Sequence, residues 1–172
     1  MPKRKQAPDA GKQTVAAANA ATIAASQRSL PIAADSCLFC RIVAKEVPAS
    51  IIFEDGVSMA FLDIRPLFPG HSLLVSKVHY ETLADLPPNL IGPLFTNAQL
   101  LSRVIQDAMQ AEGTFVGINN KVSQSVPHFH IHIVPRRKGD GLKGFFWPRQ
   151  KYQEGELASV HESLSTRLRA QS

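Results

Sequence analysis

Apolar and polar residues alternate most regularly between positions 126 and 134, in the segment VPHFHIHIV. A period of two is typical of a β-strand whose two faces lie in different surroundings. The alternation therefore predicts a strand with three imidazoles on one face and apolar side chains on the opposite, core-facing side. Pro135 lacks a backbone N–H, and we expect it to end the pairing of this strand. The three imidazoles belong to His128, His130 and His132.

The pattern elsewhere predicts an α+β fold. It indicates one long helix over 89–113, ending at Gly113, and short helices after residue 40 and over 80–86. An exposed helix is expected towards residue 172. Together with the histidine strand, the remaining apolar runs predict an antiparallel sheet of about five strands. These runs cover 51–55, 58–63, 72–76 and 114–119.

Composition divides the chain into three parts. Residues 1–34 are rich in alanine and contain no aromatic residue, which predicts a disordered basic extension. Residues 35–138 form the predicted catalytic domain. Residues 139–172 are expected to form a loop rich in glycine and aromatic residues, followed by a helix. We expect a cytoplasmic protein, and the extension is a weak candidate for a nuclear or organellar targeting signal.

Charge and hydrophobicity narrow the class of partner. The net charge is +5, from 19 basic and 14 acidic residues. Residues 1–34 contribute five basic residues and one acidic residue, or +4, which leaves +1 for the rest of the chain. A nearly neutral body argues against a nucleic-acid partner. No run approaches the roughly 18 apolar residues of a membrane helix, so we expect no membrane partner.

A single histidine on a strand is usually a surface residue or a hydrogen-bonded core residue. Three histidines in register on one face do not fit that explanation. Neighbouring imidazoles of the row lie roughly 6.6 Å apart along the strand. Two of them could reach one metal ion, whereas three would have difficulty doing so from a straight strand. The row therefore indicates either a metal site or a set of catalytic imidazoles.

A second candidate site is the pair Cys37 and Cys40, the two cysteines of the chain. A C-x-x-C motif is compatible with half of a zinc site, with two inert buried thiols or with a redox pair. Zinc in a structural site needs four ligands, so two histidines would have to join the cysteines. The candidates are His71, His79, the strand histidines and His161.

The body of the chain resembles the histidine triad (HIT) superfamily of nucleotide hydrolases and transferases. The resemblance covers about 36–138 and rests on five ordered blocks. It implies a HIT-like fold, usually a homodimer, and substrates in which a nucleoside monophosphate carries a leaving group. Such substrates are AMP phosphoramidates, acyl-adenylates and dinucleoside polyphosphates. The blocks are SCLFCRIVAKEVPASIIFED, MAFLDIRPLFPGHSLLVSKVH, GINN, QSVPHFHIHIVPR and, within the last, the triad itself.

The resemblance also implies roles for individual residues. His130 would be the nucleophile that forms a covalent nucleotidyl-histidine, and His71 would assist proton movement near the phosphate. His132 and Asn119 would hold phosphate oxygens, to which the region of Ser125 and Val126 donates hydrogen bonds. The purine nucleoside would contact the remaining predicted nucleotide-binding residues. These are Asp63 at the ribose hydroxyls, Phe39, Ile42 and Phe61 around the base, and Ile64 and Gln124.

Zinc is expected to be structural, with one ion per chain held by Cys37, Cys40, His79 and His128. Related chains with this C-x-x-C motif also carry a histidine at the position of His79 and bind zinc. A closed four-ligand site leaves no open position for substrate, so no metal would be required for catalysis. The competing assignment places a water-activating zinc on His128 and His130.

Three alternative functions remain open at this point. The chain could be a dinucleoside polyphosphate hydrolase, a zinc-stabilised nucleotide-binding module without turnover, or a repair enzyme for adenylated nucleic-acid ends. The nearly neutral body argues against the last of these. The loop after Asn119 is short and lacks the glycines common in the family, and Pro127 removes a backbone donor. In both features the phosphate loop departs from the family pattern, whereas the triad matches it.

Overall fold

The computed structural model describes residues 36–142 and 151–170. Within these ranges, four helical or turn elements and five strands follow one another in chain order. They are α1 (Leu38–Val43), β1 (Ile51–Glu54), β2 (Ser58–Leu62), β3 (Ser72–Ser76), a 3-10 turn (Leu83–Asp85), α2 (Pro88–Ala108), β4 (Gly113–Gly117), β5 (His130–Arg136) and α3 (Glu156–Arg169).

The five strands form one antiparallel sheet in the order β1-β2-β3-β5-β4. This architecture confirms the predicted α+β class and the predicted number of strands. The central strands β2, β3 and β5 are largely buried, because an apolar cluster covers each face of the sheet there, whereas the edge strand β1 is mostly exposed. α2 packs over one face, where alternate residues of β5 and the inner stripe of α2 form a core. The core residues from these two elements are Ile131, Ile133, Leu94, Ala98, Leu101 and Ile105.

The opposite face of the sheet carries α1 and a second apolar cluster. Residues of α1 pack there against alternate residues of β2 and β3. The pleat of a strand sends successive side chains to opposite faces, so this cluster uses the positions that the α2 core leaves out. His130 and His132 lie on this second face. The cluster consists of Cys37, Phe39, Ile42, Met59, Phe61, Leu73 and Val75.

The long helix is shorter than predicted at its C-terminal end. It ends at Ala108, and Gly113 is the first residue of β4 rather than the helix end. Gln110 has a φ of +50°, and the N–H of Glu112 donates to the carbonyl of Arg136. The helix therefore ends five residues earlier than predicted, at Ala108 instead of Gly113. Similarly, the predicted helix over 80–86 is the 3-10 turn Leu83–Asp85.

The histidine strand is displaced towards the C terminus relative to its predicted bounds. β5 begins at His130, so His128 precedes the strand, and Pro135 lies inside it opposite Thr114 of β4. The prediction that Pro135 ends the pairing is therefore wrong. Pairing between β3 and β5 stops at Ile133, so Pro135 lies beyond the edge of β3. A missing N–H costs no ladder hydrogen bond on that side.

The chain separates into two compact units between Lys138 and Gly139. In the second unit the described residues contain α3, whose apolar residues are exposed at Leu157, Leu164 and Leu168. Most of the predicted glycine-rich and aromatic loop, at 143–150, lies outside the described residues, as does the predicted extension over 1–34. Within the described ranges, no helix has both the length and the apolar character needed to cross a bilayer.

Asp55 ties the β1–β2 turn to α2, and its removal should destabilise the domain. One carboxylate oxygen accepts from the backbone and hydroxyl of Ser58 and from the N–H of Val57, and the other accepts from Asn97 at 2.6 Å. Burial opposes ionisation, but these hydrogen bonds hold the pKa of Asp55 below its ordinary value. Asp55→Ala should cost about 2 kcal/mol and lower the melting temperature by roughly 6 °C.

Thermal unfolding followed by circular dichroism measures this effect. Asp107→Ala is the matched control, because Asp107 is exposed near the end of α2. An equal loss of stability in both variants would contradict the role given to Asp55. The contribution of Asp55 should be present above about pH 4 and lost below it, since the folded protein lowers the pKa of this carboxylate.

Candidate functional site

The predicted zinc ligands lie together beside the N-terminus of α1. Donor atoms of Cys37, Cys40, His79 and His128, one from each residue, all lie within 4.8 Å of one another. Nδ1 of His128 is 3.4 Å from Sγ of Cys37 and 3.5 Å from Sγ of Cys40. Nδ1 of His79 is 3.3 Å from Sγ of Cys40. α1 begins at Leu38, so its first turn brings both cysteines to the same side of the chain.

This donor set fits a tetrahedral zinc ion. Zn–S and Zn–N bonds of about 2.3 and 2.1 Å at tetrahedral angles place S and N donors about 3.6 Å apart, close to the distances in this cluster. Nε2 of His128 donates to the carbonyl of Ser76 at 2.8 Å. That bond leaves the lone pair of Nδ1 facing the two sulfurs, the arrangement in which a ligating histidine is oriented by its second nitrogen.

His130 is held through Nδ1, and among the described residues its outer nitrogen, Nε2, has no hydrogen-bond partner. Nδ1 of His130 lies 2.6 Å from the carbonyl oxygen of His128. A carbonyl only accepts, so Nδ1 carries the proton and Nε2 carries the lone pair. The ring of Phe39 packs edge-on against His130 at 5.3 Å, and the ring of His132 lies 4.8 Å away on the other side. Backbone and side chains thus fix both the tautomer and the orientation of this imidazole.

A chain of hydrogen bonds also fixes the tautomer of His132. The N–H of Leu67 donates to Nδ1 of His71, so the proton of the neutral His71 ring lies on Nε2. Nε2 of His71 donates to Nδ1 of His132 at 3.0 Å. His132 must then carry its own proton on Nε2. Within residues 36–142 and 151–170, this buried Nε2 has no hydrogen-bond partner. It is a donor without an acceptor, which is suited to an anionic ligand.

Burial keeps these imidazoles uncharged at neutral pH. It lowers the pKa of His128 and of His132 to about 4, and in His132 the neighbouring His130 and His71 act in the same direction. Burial also lowers the pKa of His71 and of His130, although Asp63 acts in the opposite direction on both. Neutral imidazoles have an available lone pair, which both nucleophilic attack and metal binding require.

Asp63 follows β2 and faces the imidazoles from the adjoining loop. Its Oδ1 accepts from the N–H of Arg65, and its Oδ2 lies 3.6 Å from Nδ1 of His71. Ile64, which was predicted to contact the nucleotide, is 89% exposed. The structure therefore brings Asp63 to the histidines and turns its neighbour Ile64 towards solvent.

The predicted base-binding residues lie in the core. Phe39, Ile42 and Phe61 are each buried, and the rings of Phe39 and Phe61 pack edge-on at 5.4 Å. These three residues, with the half-buried Val126 packed against them, belong to the apolar cluster under α1. They form a rigid support beside His130, and any contact with a base would use the edges that reach the surface.

In the loop 119–126 the side chains of Asn120 and Gln124 are both held by hydrogen bonds within the protein, and Oδ1 of Asn120 accepts from the N–H of Leu83 at 2.9 Å. Oε1 of Gln124 accepts from the N–H of Lys121, and Nε2 of Gln124 donates to the carbonyl of Glu81 at 2.6 Å. Its predicted contact with a nucleotide would compete with these bonds, so its geometry favours holding the loop in place. Asn119 is half-buried and Ser125 is exposed on the same loop.

Two contributors to the site were not predicted from the sequence. The carbonyl of Ser76 orients His128, and the N–H of Leu67 sets the tautomer of His71. Both act through backbone groups: every residue has the carbonyl and every residue except proline has the N–H, so the residue type carries no signal of the role. His161, one of the candidate ligands, is exposed on α3 and does not belong to the four-residue cluster.

The comparisons with known proteins agree with this geometry. The HIT domain profile matches residues 44–139, more than half of the chain. The chain belongs to the HIT family. It is 35% identical over 140 residues to Protein hit from Bacillus subtilis, covering 78% of this chain and 96% of that protein.

Relatives in the HIT family have names that include different activities. Adenosine 5'-monophosphoramidase HNT1 from Saccharomyces cerevisiae is 33% identical, covering 83% of this chain and 90% of that protein. Bis(5'-nucleosyl)-tetraphosphatase [asymmetrical] from Schizosaccharomyces pombe is 32% identical, covering 67% of this chain and 65% of that protein. The crystal structure of a Zn-bound histidine triad family protein from Mycobacterium smegmatis superposes with a TM-score of 0.61 at 34% identity. The match covers 78% of this chain and 99% of that protein.

Proposed function

We propose that this HIT protein hydrolyses purine nucleotides at the α-phosphate through a covalent nucleotidyl-histidine on His130. The observation that carries the proposal is the 2.6 Å hydrogen bond from Nδ1 of His130 to the carbonyl of His128. It leaves the Nε2 lone pair free, and an imidazole in this state is an uncharged nucleophile near neutral pH. The named activities of the relatives support a nucleotide substrate.

In the first step Nε2 of His130 attacks the α-phosphorus. A P–N bond to His130 forms while the bond from phosphorus to the leaving group breaks, and the leaving group takes the bonding electron pair. Nε2–H of His132 stands beside this position as the donor for a phosphate oxygen or for the departing group. His71 holds that donor in place through Nδ1 of His132. Water then cleaves the P–N bond and releases the nucleoside monophosphate.

The remaining predicted residues position the substrate around this reaction. Asn119, Ser125 and Val126 would hold the phosphate oxygens, because preorganised donors stabilise charge that develops on a phosphoryl group. Asp63 would accept from the ribose hydroxyls, which requires its carboxylate to turn away from His71. Phe39, Ile42 and Phe61 would support the base beside His130, with Ile64 and Gln124 at the margin of the same site.

The leaving group distinguishes the two enzyme candidates. An AMP phosphoramidate releases an amine and an acyl-adenylate releases a carboxylate. A dinucleoside polyphosphate releases the remaining nucleoside polyphosphate. A substrate panel scored by kcat/KM tests this choice, with adenosine phosphoramidates, acyl-adenylates, diadenosine polyphosphates and a guanosine analogue. We expect phosphoramidate turnover to dominate. A panel in which diadenosine tetraphosphate is preferred would favour the alternative, and no turnover of any member would favour a nucleotide-binding module.

Zinc is proposed as a structural ion on Cys37, Cys40, His79 and His128. Bound there, it would tie α1 to the residues that precede β5 and would supply no Lewis acid to the phosphate. The donor set and the Zn-bound relative support this assignment. Catalysis would then depend on the protein's own imidazoles.

A homodimer is proposed through α2 and the edge strand β4. β4 is the last strand of the sheet, so no strand from the described part of the chain lies on one side of its backbone. Val104 of α2 is 52% exposed, and Leu100 of α2 and Val116 of β4 are also exposed. Apolar residues on an edge strand and on the adjoining helix are suited to a two-fold interface.

Sedimentation at micromolar concentration should therefore show a species of about twice the 18.8 kDa chain mass. Val104→Glu combined with Val116→Glu should shift the protein to monomer, because two like charges would meet across the axis. Ile52→Glu, at the exposed residue of the opposite edge strand β1, is the matched control. A wild-type protein that sediments only as a monomer would contradict the proposal.

A further inference from the structure

The loop 119–126 has an unusual backbone shape although it contains no glycine. Lys121 has a φ of +66° and Ser123 has a φ of +60°, and both values lie in the left-handed region. A residue with a Cβ is disfavoured in that region, whereas glycine adopts it readily. Both side chains are exposed, so their own packing does not hold the backbone in this shape. The support has to come from hydrogen bonds made elsewhere in the loop.

Two amide side chains of the loop make those hydrogen bonds. Oδ1 of Asn120 accepts from the N–H of Leu83 at 2.9 Å. Nε2 of Gln124 donates to the carbonyl of Glu81 at 2.6 Å. Oε1 of Gln124 accepts from the N–H of Lys121 at 2.7 Å, which closes the loop on itself. The loop is therefore fastened to the segment 81–83 on both sides of its two left-handed residues.

The segment that receives these bonds is itself ordered. The backbone and hydroxyl of Thr82 both donate to one oxygen of Asp85, at 2.9 and 2.6 Å, and form a capping box. The carbonyl of Tyr80 accepts from the N–H of Phe129, next to β5. The N–H of Leu83 belongs to the first residue of the 3-10 turn, where a helix leaves its donors without partners of its own. The loop supplies that acceptor.

We propose that Asn120 and Gln124 are positioning residues, which hold the loop 119–126 in the shape that presents its donors to the α-phosphate. The inference rests on the proposed function, which assigns Asn119, Ser125 and Val126 to the phosphate oxygens. Donors stabilise a phosphoryl group best when they are ordered before the substrate arrives. Both amides act through the loop backbone, so neither has to touch the nucleotide for this role.

The two amides use different atoms, which makes the inference chemically specific. Asn120 serves as an acceptor, so Asn120→Asp should keep the loop ordered and Asn120→Ala should loosen it. Gln124 has to donate to the carbonyl of Glu81, so Gln124→Glu and Gln124→Met should both loosen the loop. A carboxylate has no proton to donate at neutral pH, and methionine keeps the length of the side chain without the amide.

The first measurement is the affinity for AMP and for adenosine, determined by calorimetry on the full chain. Asn120→Ala and Gln124→Met should each weaken AMP about tenfold, which corresponds to roughly one lost hydrogen bond. Adenosine affinity should stay unchanged, because the loop contacts only the phosphate, whereas a general loss of structure would weaken both ligands. Asn89→Ala is the matched control, at an exposed asparagine of α2, and should change neither affinity.

Glycine provides an independent test because it removes the strain and leaves the bonds untouched. In the Asn120→Ala protein, the additional change Ser123→Gly should restore AMP affinity about threefold, since glycine adopts a positive φ without a Cβ. Val122→Gly is the matched control. Val122 is exposed on the same loop, and its φ is not positive. This second glycine should restore nothing.

Backbone order parameters at residues 121–123 measure the loop without any ligand. They should fall in Asn120→Ala and Gln124→Met and stay at the wild-type level in Asn120→Asp. Order parameters that do not fall overturn the inference, as does an equal loss of AMP and adenosine affinity or an equal rescue by Val122→Gly.

The same measurements separate failure of the inference from failure of the proposed function. If AMP binds and substrates are turned over while the order parameters stay unchanged in Asn120→Ala and Gln124→Met, the inference fails and the proposed function stands. If the wild-type protein binds no AMP and turns over no substrate, the proposed function fails. The order parameters then still decide whether the two amides hold the loop.

Discussion

His130→Ala should lower kcat for an AMP phosphoramidate by three or more orders of magnitude, while AMP binds with nearly wild-type affinity. In the proposed mechanism the covalent bond to phosphorus forms only at Nε2 of His130. Loss of a nucleophile that acts together with its partners usually costs several decades in rate. Binding should persist because the proposed ribose and phosphate contacts are made by other residues.

A variant of the neighbouring imidazole, His132, provides the comparison for His130→Ala. His132→Ala should lose less activity than His130→Ala, since His132 donates a hydrogen bond and makes no covalent bond. In stopped reactions, radiolabelled phosphate from the substrate should be recovered on the wild-type protein and absent from a His130→Gly variant. If His130→Ala retains more than about a tenth of wild-type kcat, the covalent mechanism is wrong.

Removal of zinc should lower stability strongly and leave turnover intact wherever the fold persists. We expect about one zinc per chain in protein purified without chelator. A ligand that binds only the folded state at a thousand times its Kd contributes about 4 kcal/mol, which for this size of chain corresponds to roughly 10 °C in melting temperature. Below the melting temperature of the metal-free protein, kcat should stay close to its original value.

Three measurements on the same samples decide between the metal assignments: zinc content, melting temperature and turnover after treatment with a strong chelator. Cys37→Ser should reproduce the loss of zinc and of stability. Loss of turnover at unchanged melting temperature, restored by added zinc, would favour the water-activating metal on His128 and His130. A protein with intact Cys37 and Cys40 that carries no zinc would reject both assignments.

Much of the fold was predictable because the strong sequence patterns coincide with the strongest physical constraints. The apolar run 72–76 corresponds in full to β3, which is buried along its whole length. The alternation around His130 identifies the two faces of β5 because one face packs under α2. Periodicity is weakest where an element ends, and both misplaced ends depend on contacts distant in sequence. Glu112 pairs with Arg136, and Pro135 lies beyond the last pair between β3 and β5.

The candidate site was also predictable only in part from the sequence. The four residues assigned to zinc were grouped from the cysteine spacing and the family resemblance, and the structure places them together. The hydrogen bonds that set the tautomers of His71 and His128 come from Leu67 and Ser76, through main-chain atoms. Their positions depend on how a loop and a strand approach the histidines. A one-dimensional pattern of residue types does not contain that information.

The carbonyl of His128 has a consequence for atomic motion in the site. This oxygen accepts from His130 and, at 3.4 Å, from Nε2 of Gln124, while the imidazole of the same residue is held by Ser76. A peptide plane restrained on both its main-chain and side-chain sides has little freedom to rotate. The displacement amplitudes of His130 should therefore be among the smallest in the domain. Nanosecond order parameters measured on this imidazole should stay high even when the exposed loop around Val122 fluctuates.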